Sequence, residues 1–175
     1  MINANDYEAS VLFRCNYASQ AQVVINQGGS SAGKTYAIEQ VLFCLAAEKD
    51  RQVITVVGQD IPNLKAGALR DALNLCSLSD QLKSLIKNFN KTDRVFEFHN
   101  GSIIEFKSYA DAQDAKSGKR DYLFINEANG IDWNIYTELV LALLINGHQP
   151  RPILSRATQT KEAAAKVTAF IEKSD

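Results

Sequence analysis

Residues 26–35 read NQGGSSAGKT, and they follow the short apolar run VVI at 23–25. From Gly28 onward the stretch fits G-x-x-x-x-G-K-[ST] in full: Gly28, Gly29, Ser30, Ser31, Ala32, Gly33, Lys34 and Thr35. Each fixed position has a chemical reason. Gly28 and Gly33 let the backbone turn tightly, so that successive N–H groups face an anion. The helix that follows would add its N-terminal amides and its dipole. Lys34 is placed to reach the β- and γ-phosphates of a nucleotide, and Thr35 to put a hydroxyl on Mg²⁺. The bland alternative is a glycine-rich turn. A chance match of the whole motif has a probability of roughly a few in a thousand in a chain of this composition, so a phosphate site is expected here.

The flanking patterns agree. Gln22–Gln27 is short, apolar and β-branched, as a strand buried on both faces should be. From Lys34 to about Lys49, Ile38, Val41, Leu42 and Leu45 recur at helical spacing. VITVVG (53–58) reads as a second buried strand, and Pro62 marks the turn after it. The run from Leu64 to Phe89 reads as mostly helical, with a break near Ser77–Asp80. VFEFHNGSIIEF (95–106) holds two alternating runs joined at Asn100-Gly101, a hairpin signal. YLFIN (122–126) is another apolar strand, Trp133–Ile145 a helix, PILS (152–155) a short strand, and Thr160–Lys173 a helix. Residues 1–20 show no clear period and read as a lead-in segment. Strands alternating with helices predict an α/β fold with a mainly parallel sheet, in a single domain over 1–175.

A second motif bears on chemistry. Residues 121–129 read DYLFINEAN. In P-loop enzymes that hydrolyse ATP, a second apolar strand normally ends in an acid that serves the Mg²⁺ site, with a Glu beside it. Here Asn126 takes the first place and Glu127 the second. An amide oxygen brings no charge, so Thr35, Asn126 and the phosphates would hold Mg²⁺ more weakly. Glu127 keeps the role of base or water-orienting group. The opposite reading makes Glu127 a helix cap and the chain a nucleotide binder without catalysis. Asp121 lies at the wrong end of the strand to substitute.

The bulk numbers exclude other classes. The chain has 175 residues, 46% hydrophobic and 22% charged, with a net charge of -1. No overall basic field advertises nucleic acid, so any DNA contact must use a local patch. Cys15, Cys44 and Cys76 have neither disulfide-frame nor zinc spacing and read as reduced thiols. No run of 18 apolar residues is present, so no membrane span is expected. MINANDYEAS carries no secretion signal.

Taken in order, NQGGSSAGKT, VVGQDIPNLKAGALRDAL and FEFHNGSIIEFKSYADAQDAKSGKRDYLFINEAN resemble the ATPase domain of the large terminase subunit of tailed bacteriophages. The resemblance covers about residues 22–130 and is most specific from the hairpin through SGKRDYLFINEAN. It implies a P-loop fold of the ASCE type, with the hairpin around Asn100-Gly101 as an addition. It implies ATP and Mg²⁺ as cofactors and double-stranded DNA as the substrate that is moved. A homo-oligomeric ring on the portal, a small terminase subunit as partner, and the host cytoplasm as location follow from the same likeness. Where many relatives carry an Arg in the P-loop, this chain has Ser30. Ser155 and Thr158 fall where the family's coupling strand would end, and the chain as given leaves no room for the family's nuclease domain. Lys116, Lys119 and Arg120 form a basic cluster that reads as a solvated loop, a DNA contact, or an arginine finger supplied by Arg120 to a neighbouring subunit. Arg70 is a weaker finger candidate. Trp133 and Tyr136, one helical step apart, read as core. A small P-loop kinase is the other enzyme class considered, but no Arg-rich lid is present.

Overall fold

The structure is a computed structural model that describes residues 10–21, 23–29, 32–145 and 151–157. Ser30, Ser31, Thr158 and the helix expected over 160–173 lie outside these residues. The chain runs α1 (Val11–Ala18), β1 (Val24–Gly28), α2 (Lys34–Glu48), β2 (Val53–Val57), α3 (Ile61–Ala66), α4 (Ala68–Leu78), α5 (Asp80–Leu85) and β3 (Ile86–Asn90). It continues through β4 (Val95–Phe98), β5 (Ile103–Lys107), α6 (Ala112–Lys116), β6 (Tyr122–Ile125), α7 (Trp133–Ile145) and β7 (Arg151–Ala157).

The strands form one sheet in the order β1-β7-β6-β2-β5-β4-β3. The first five are mutually parallel, and β4 and β3 extend the sheet antiparallel. The fold is therefore α/β with a mainly parallel sheet, as expected. The late strand β7 is inserted between the strand that leads into the glycine-rich loop and the strand that ends at Asn126. Successive side chains of β6 point to opposite faces. Tyr122 and Phe124 join the core under α2 and α4, while Leu123 and Ile125 join the core under α7. That is why YLFI is apolar throughout.

The helix α2 starts at the phosphate motif and ends against the hairpin. Ile38, Val41, Leu42, Phe43 and Ala46 are all buried. At its far end Asn100 Nδ2 donates to Ala46 O (2.8 Å) and Lys49 O (3.0 Å), and Ser102 Oγ donates to Lys49 O (2.6 Å). Carbonyls at a helix C-terminus lack intrahelical partners, and this turn supplies them. Gly101, at φ +81°, allows the chain to double back there. The wording N-G-S thus serves α2 as well as the hairpin.

Two expectations are corrected. The stretch Ile86–Asn90 is a strand, not the end of a helix. Ile86 and Phe89 recur at a spacing that also suits a helix, but pairing with β4 stacks Phe89 on Phe96 at 4.3 Å and wins. The lead-in segment contains α1, capped by Ser10, whose hydroxyl accepts from Phe13 N at 3.1 Å. Its Asn16 is buried and exchanges two amide hydrogen bonds with Asn26 of β1, at 2.9 and 2.8 Å. Of the cysteines, Cys44 is buried and Cys76 partly so, and burial pushes both thiols up to about 12. They are unreactive packing groups.

One buried group in α2 opposes the fold. Glu39 is 1% exposed, and neither carboxylate oxygen has a hydrogen-bond partner. Burial pushes its carboxyl well above the usual carboxylate range, and Asp71 adds in the same direction. An acid whose folded-state pKa is raised holds its proton more tightly when folded. Stability therefore falls as pH rises above the unfolded carboxyl value of about 4.3. Glu39→Met, which keeps the length and helix preference, should gain about 1–3 kcal/mol at pH 7 by removing an unsatisfied buried group. Urea unfolding at pH 7 and pH 5 should show the gain shrinking at the lower pH. A destabilised variant would mean that the carboxyl is paired.

Candidate nucleotide-binding site

Five parallel strands end along one edge, where α/β folds bind ligands. Gly28 at the end of β1, Asn126 after β6 and Gly58 after β2 all lie there. Gly33 takes the left-handed conformation at φ +65°, which only a residue without Cβ enters freely, and α2 begins at the next residue. Gly28 does not share this role. It is the last residue of β1, and its backbone is not left-handed. The tight turn that the sequence suggested for both glycines belongs to Gly33 alone among the described residues. Ala32 N–H donates to Gly29 O at 3.2 Å and closes the loop behind it.

Lys34 is buried, with 8% exposure, and its ammonium donates to the carbonyls of Gly28 (2.9 Å) and Gly29 (2.5 Å). The lysine therefore lies along the loop. The first-turn amides of α2 have no intrahelical acceptor and point out of the helix start. A helix start with an ammonium folded beside it is an anion site.

The contact that joins the two motifs is between Thr35 and Asn126. Thr35 Oγ1 donates to Asn126 Oδ1 at 3.1 Å, across 91 residues of sequence. A threonine hydroxyl that donates there keeps its lone pairs for a cation. Asn126 is held in turn by its own N–H, which donates to Val57 O at 2.8 Å. The donor set is neutral oxygen, which suits a hard cation such as Mg²⁺. Among the described residues, no group of three His, Cys, Asp or Glu side chains could hold a metal. A cation here would draw most of its ligand charge from the nucleotide phosphates.

Glu127 follows directly. It is exposed and sits in the left-handed region at φ 53°, ψ 54°, at the start of a 3-10 turn over Ala128–Gly130. Such a conformation is uncommon for a residue other than glycine, and Arg51 and Arg94 share it, at φ 54° and 57°. Asp121 lies at the opposite end of β6, where its Oδ2 accepts from Val53 N at 2.8 Å, and takes no part.

Arg120, offered by the sequence as a finger for a neighbouring subunit, a DNA contact or part of a solvated loop, is none of these in the folded chain: it is 2% exposed. Its guanidinium donates to Ala115 O (3.0 Å), Ser117 O (2.8 Å) and the Tyr109 hydroxyl (3.2 Å). It therefore ties the end of α6 to the sheet and is not presented to another molecule. Lys116 and Lys119 are half-exposed, and each faces an acid, Glu138 at 3.5 Å and Asp121 at 3.6 Å. They do not form one patch with Arg120. Of the two finger candidates, Arg70 is the exposed one, only loosely near Asp71 at 3.8 Å. The aromatic pair is also split. Tyr136 is buried, while Trp133 stacks on it at 5.1 Å with 41% exposure. Ser155 lies in β7 in register with Asn26 of β1. The residue that sequence reasoning missed is Asn16. The signal was Asn26 itself, a polar side chain in an apolar run that had to find a partner. The expectation that this run is buried on both faces is corrected: β1 is an edge strand, and Asn26 is its one buried residue.

A strand–loop–helix with Lys34 and Thr35, facing an apolar strand that ends in Asn126-Glu127, is the arrangement of a P-loop fold. The sequence profile described as terminase large subunit, T4likevirus-type, N-terminal, matches residues 25–174, and the chain belongs to that family. A search of curated proteins finds no sequence match. Among solved structures, the large terminase of bacteriophage HK97 superposes with a TM-score of 0.71 at 11% identity, covering 100% of this chain and 38% of that one. The large terminase of the thermophilic bacteriophage D6E in complex with ADP gives 0.67 at 12%, covering 84% of this chain and 38% of that one. The large terminase ATPase domain of Thermus phage P74-26 gives 0.63 at 12%, covering 89% and 68%. At these identities the structural likeness speaks for the fold. The chain spans well under half the length of the HK97 and D6E large terminases. Among the described residues, no helix is long and apolar enough to cross a membrane.

Proposed function

We propose that this domain binds and hydrolyses ATP to drive double-stranded DNA into a phage capsid. The 3.1 Å contact between Thr35 and Asn126 carries the reading, because it brings the phosphate loop and the Glu127 strand to one place. Gly28, Gly29, Ser30, Ser31, Ala32, Gly33 and Lys34 surround the phosphates. Thr35 and Asn126 hold the cation side. Mg²⁺, when bound with the nucleotide, offsets phosphate charge. Glu127 takes up a proton from the attacking water or orients that water. Ser155 and Thr158, on the strand between the two motifs and just after it, link the state of the site to movement. The domain works in a homo-oligomeric ring on the portal, with a small terminase subunit, in the host cytoplasm. Family membership and the ATPase-domain likeness support this assignment.

A second reading, a nucleotide-binding module for assembly without hydrolysis, is favoured by one observation. Asn126 brings no charge where a carboxylate is usual. Phosphate release by the pure chain, with and without duplex DNA, separates the two. Hydrolysis stimulated by DNA supports the motor, and binding without release supports the module.

Asn126→Asp tests the cation side. The carboxylate would still accept the Thr35 hydroxyl, now as a charge-assisted bond. The Mg²⁺ concentration for half-maximal nucleotide binding should fall several-fold, with turnover equal or higher. An unchanged Mg²⁺ dependence would remove residue 126 from the cation's surroundings.

A further inference from the structure

We propose that Gln59 is a positioning residue for Glu127, seated on the turn that presents the Glu127 carboxylate. The inference rests on Glu127 serving ATP hydrolysis, as proposed above. β2 and β6 are parallel neighbours, with Val57 opposite Ile125. Two residues further, Gln59 leaves β2 at the level where Glu127 leaves β6. The last bond of this ladder is the one from Asn126 N–H to Val57 O, at 2.8 Å.

The turn needs support from outside itself. Glu127 is held at φ 53°, ψ 54°, a left-handed conformation that is unfavourable for a residue with a side chain. The turn is closed by Gly130 N–H to Glu127 O at 2.9 Å and Ile131 N–H to Ala128 O at 3.4 Å. No side chain caps it. The Gln59 side chain lies against it instead. A Cβ placed on Gly130 would stand 2.6 Å from Gln59 Oε1 and 3.3 Å from its Cδ. Gly130 is not in the left-handed region, so its backbone would accept a side chain. What occupies that space is Gln59.

Gln59 is itself fixed from both sides in the chain. A Cβ on Gly58 would meet Leu64 of α3 at 2.7 Å, so the strand end is pressed onto that helix. Asp60 caps α3, its Oδ1 accepting from Asn63 N at 2.7 Å. The residue between a clamped glycine and a helix cap has little freedom to leave. The end of β2 therefore buttresses the turn after β6, and Gln59 is the side chain that makes the contact.

Two variants test this without touching Glu127. Gln59→Ala removes the buttress. Gly130→Ala places a methyl where the outer end of Gln59 lies. That end belongs to an exposed side chain that can turn into solvent, so the methyl displaces it at little cost in stability. Each variant should lower kcat about tenfold, with Mg-ATPγS affinity by calorimetry and the melting temperature unchanged. The double variant should be no worse than either single one, because both remove the same contact. Amide exchange at Gly130 and Ile131 should speed up about tenfold, while Tyr122–Ile125 stay protected. Wild-type kcat and exchange in Gln59→Ala would overturn the proposal, as would effects of the two variants that add. Comparing wild type with Glu127→Gln keeps the outcomes apart. If those two turn over alike, the role of Glu127 is wrong, and amide exchange still decides whether Gln59 holds the turn.

Discussion

Glu127→Gln should bind Mg-ATP as the wild type does and hydrolyse it about 10²–10⁴-fold more slowly, the usual loss on removing a positioned base. The substitution keeps the side-chain volume and hydrogen-bonding reach but cannot take a proton. Glu127 is exposed and stands just past β6, on the edge where Thr35 and Asn126 meet. It makes none of the contacts that hold the core, so stability should be unaffected. Phosphate release in single turnover, set beside calorimetric affinity, reads the two effects apart. The size of the drop also weighs the neutral Asn126. If hydrolysis relies on Glu127 alone among nearby carboxylates, the residual rate should sit near the low end of that range. Equal turnover in the two proteins would mean that another group does the chemistry.

Much of this site was legible because its parts carry local signatures. The phosphate loop needs left-handed backbone at one residue and a lysine and threonine after it, and the sequence shows all three at Gly33, Lys34 and Thr35. The hairpin shows Asn100-Gly101 between alternating runs. What stayed hidden depends on tertiary placement. No pattern reveals that β7, late in the chain, inserts between β1 and β6. The helix α1 is short, and the Asn16–Asn26 amide pair that helps dock it spans two segments with no shared period. Arg120 shows the same limit from the opposite side. A charged residue in a polar loop reads as exposed, and only the folded chain gathers three oxygen acceptors around it. The strand β3 was misread because Ile86 and Phe89, three residues apart, suit a helix and break strict strand alternation; a register shift between Ile86 and Asn88 admits them to the ladder, where Phe89 stacks on Phe96.

Lys34→Ala should weaken Mg-ATP binding by about 1.5–3 kcal/mol, or about 10- to 100-fold, the typical worth of a hydrogen bond to a charged group. The ammonium now spans the carbonyls of Gly28 and Gly29, so it serves the loop as well as the ligand. Its removal leaves those carbonyls without a side-chain donor. Gly28 is only partly buried and Gly29 is exposed, so water can replace the lost bonds. The melting temperature should therefore move little while affinity falls. Lys34→Arg discriminates further. It keeps the charge but brings a planar fork in place of a compact ammonium, and the two are not interchangeable at a fitted site. If charge alone mattered, arginine would restore binding. If the loop is shaped around the ammonium, arginine should recover only part of it. Calorimetry with Mg-ADP and Mg-ATPγS on all three proteins decides this. Wild-type affinity in Lys34→Ala would mean that the loop from Gly28 to Thr35 is not where the phosphates lie.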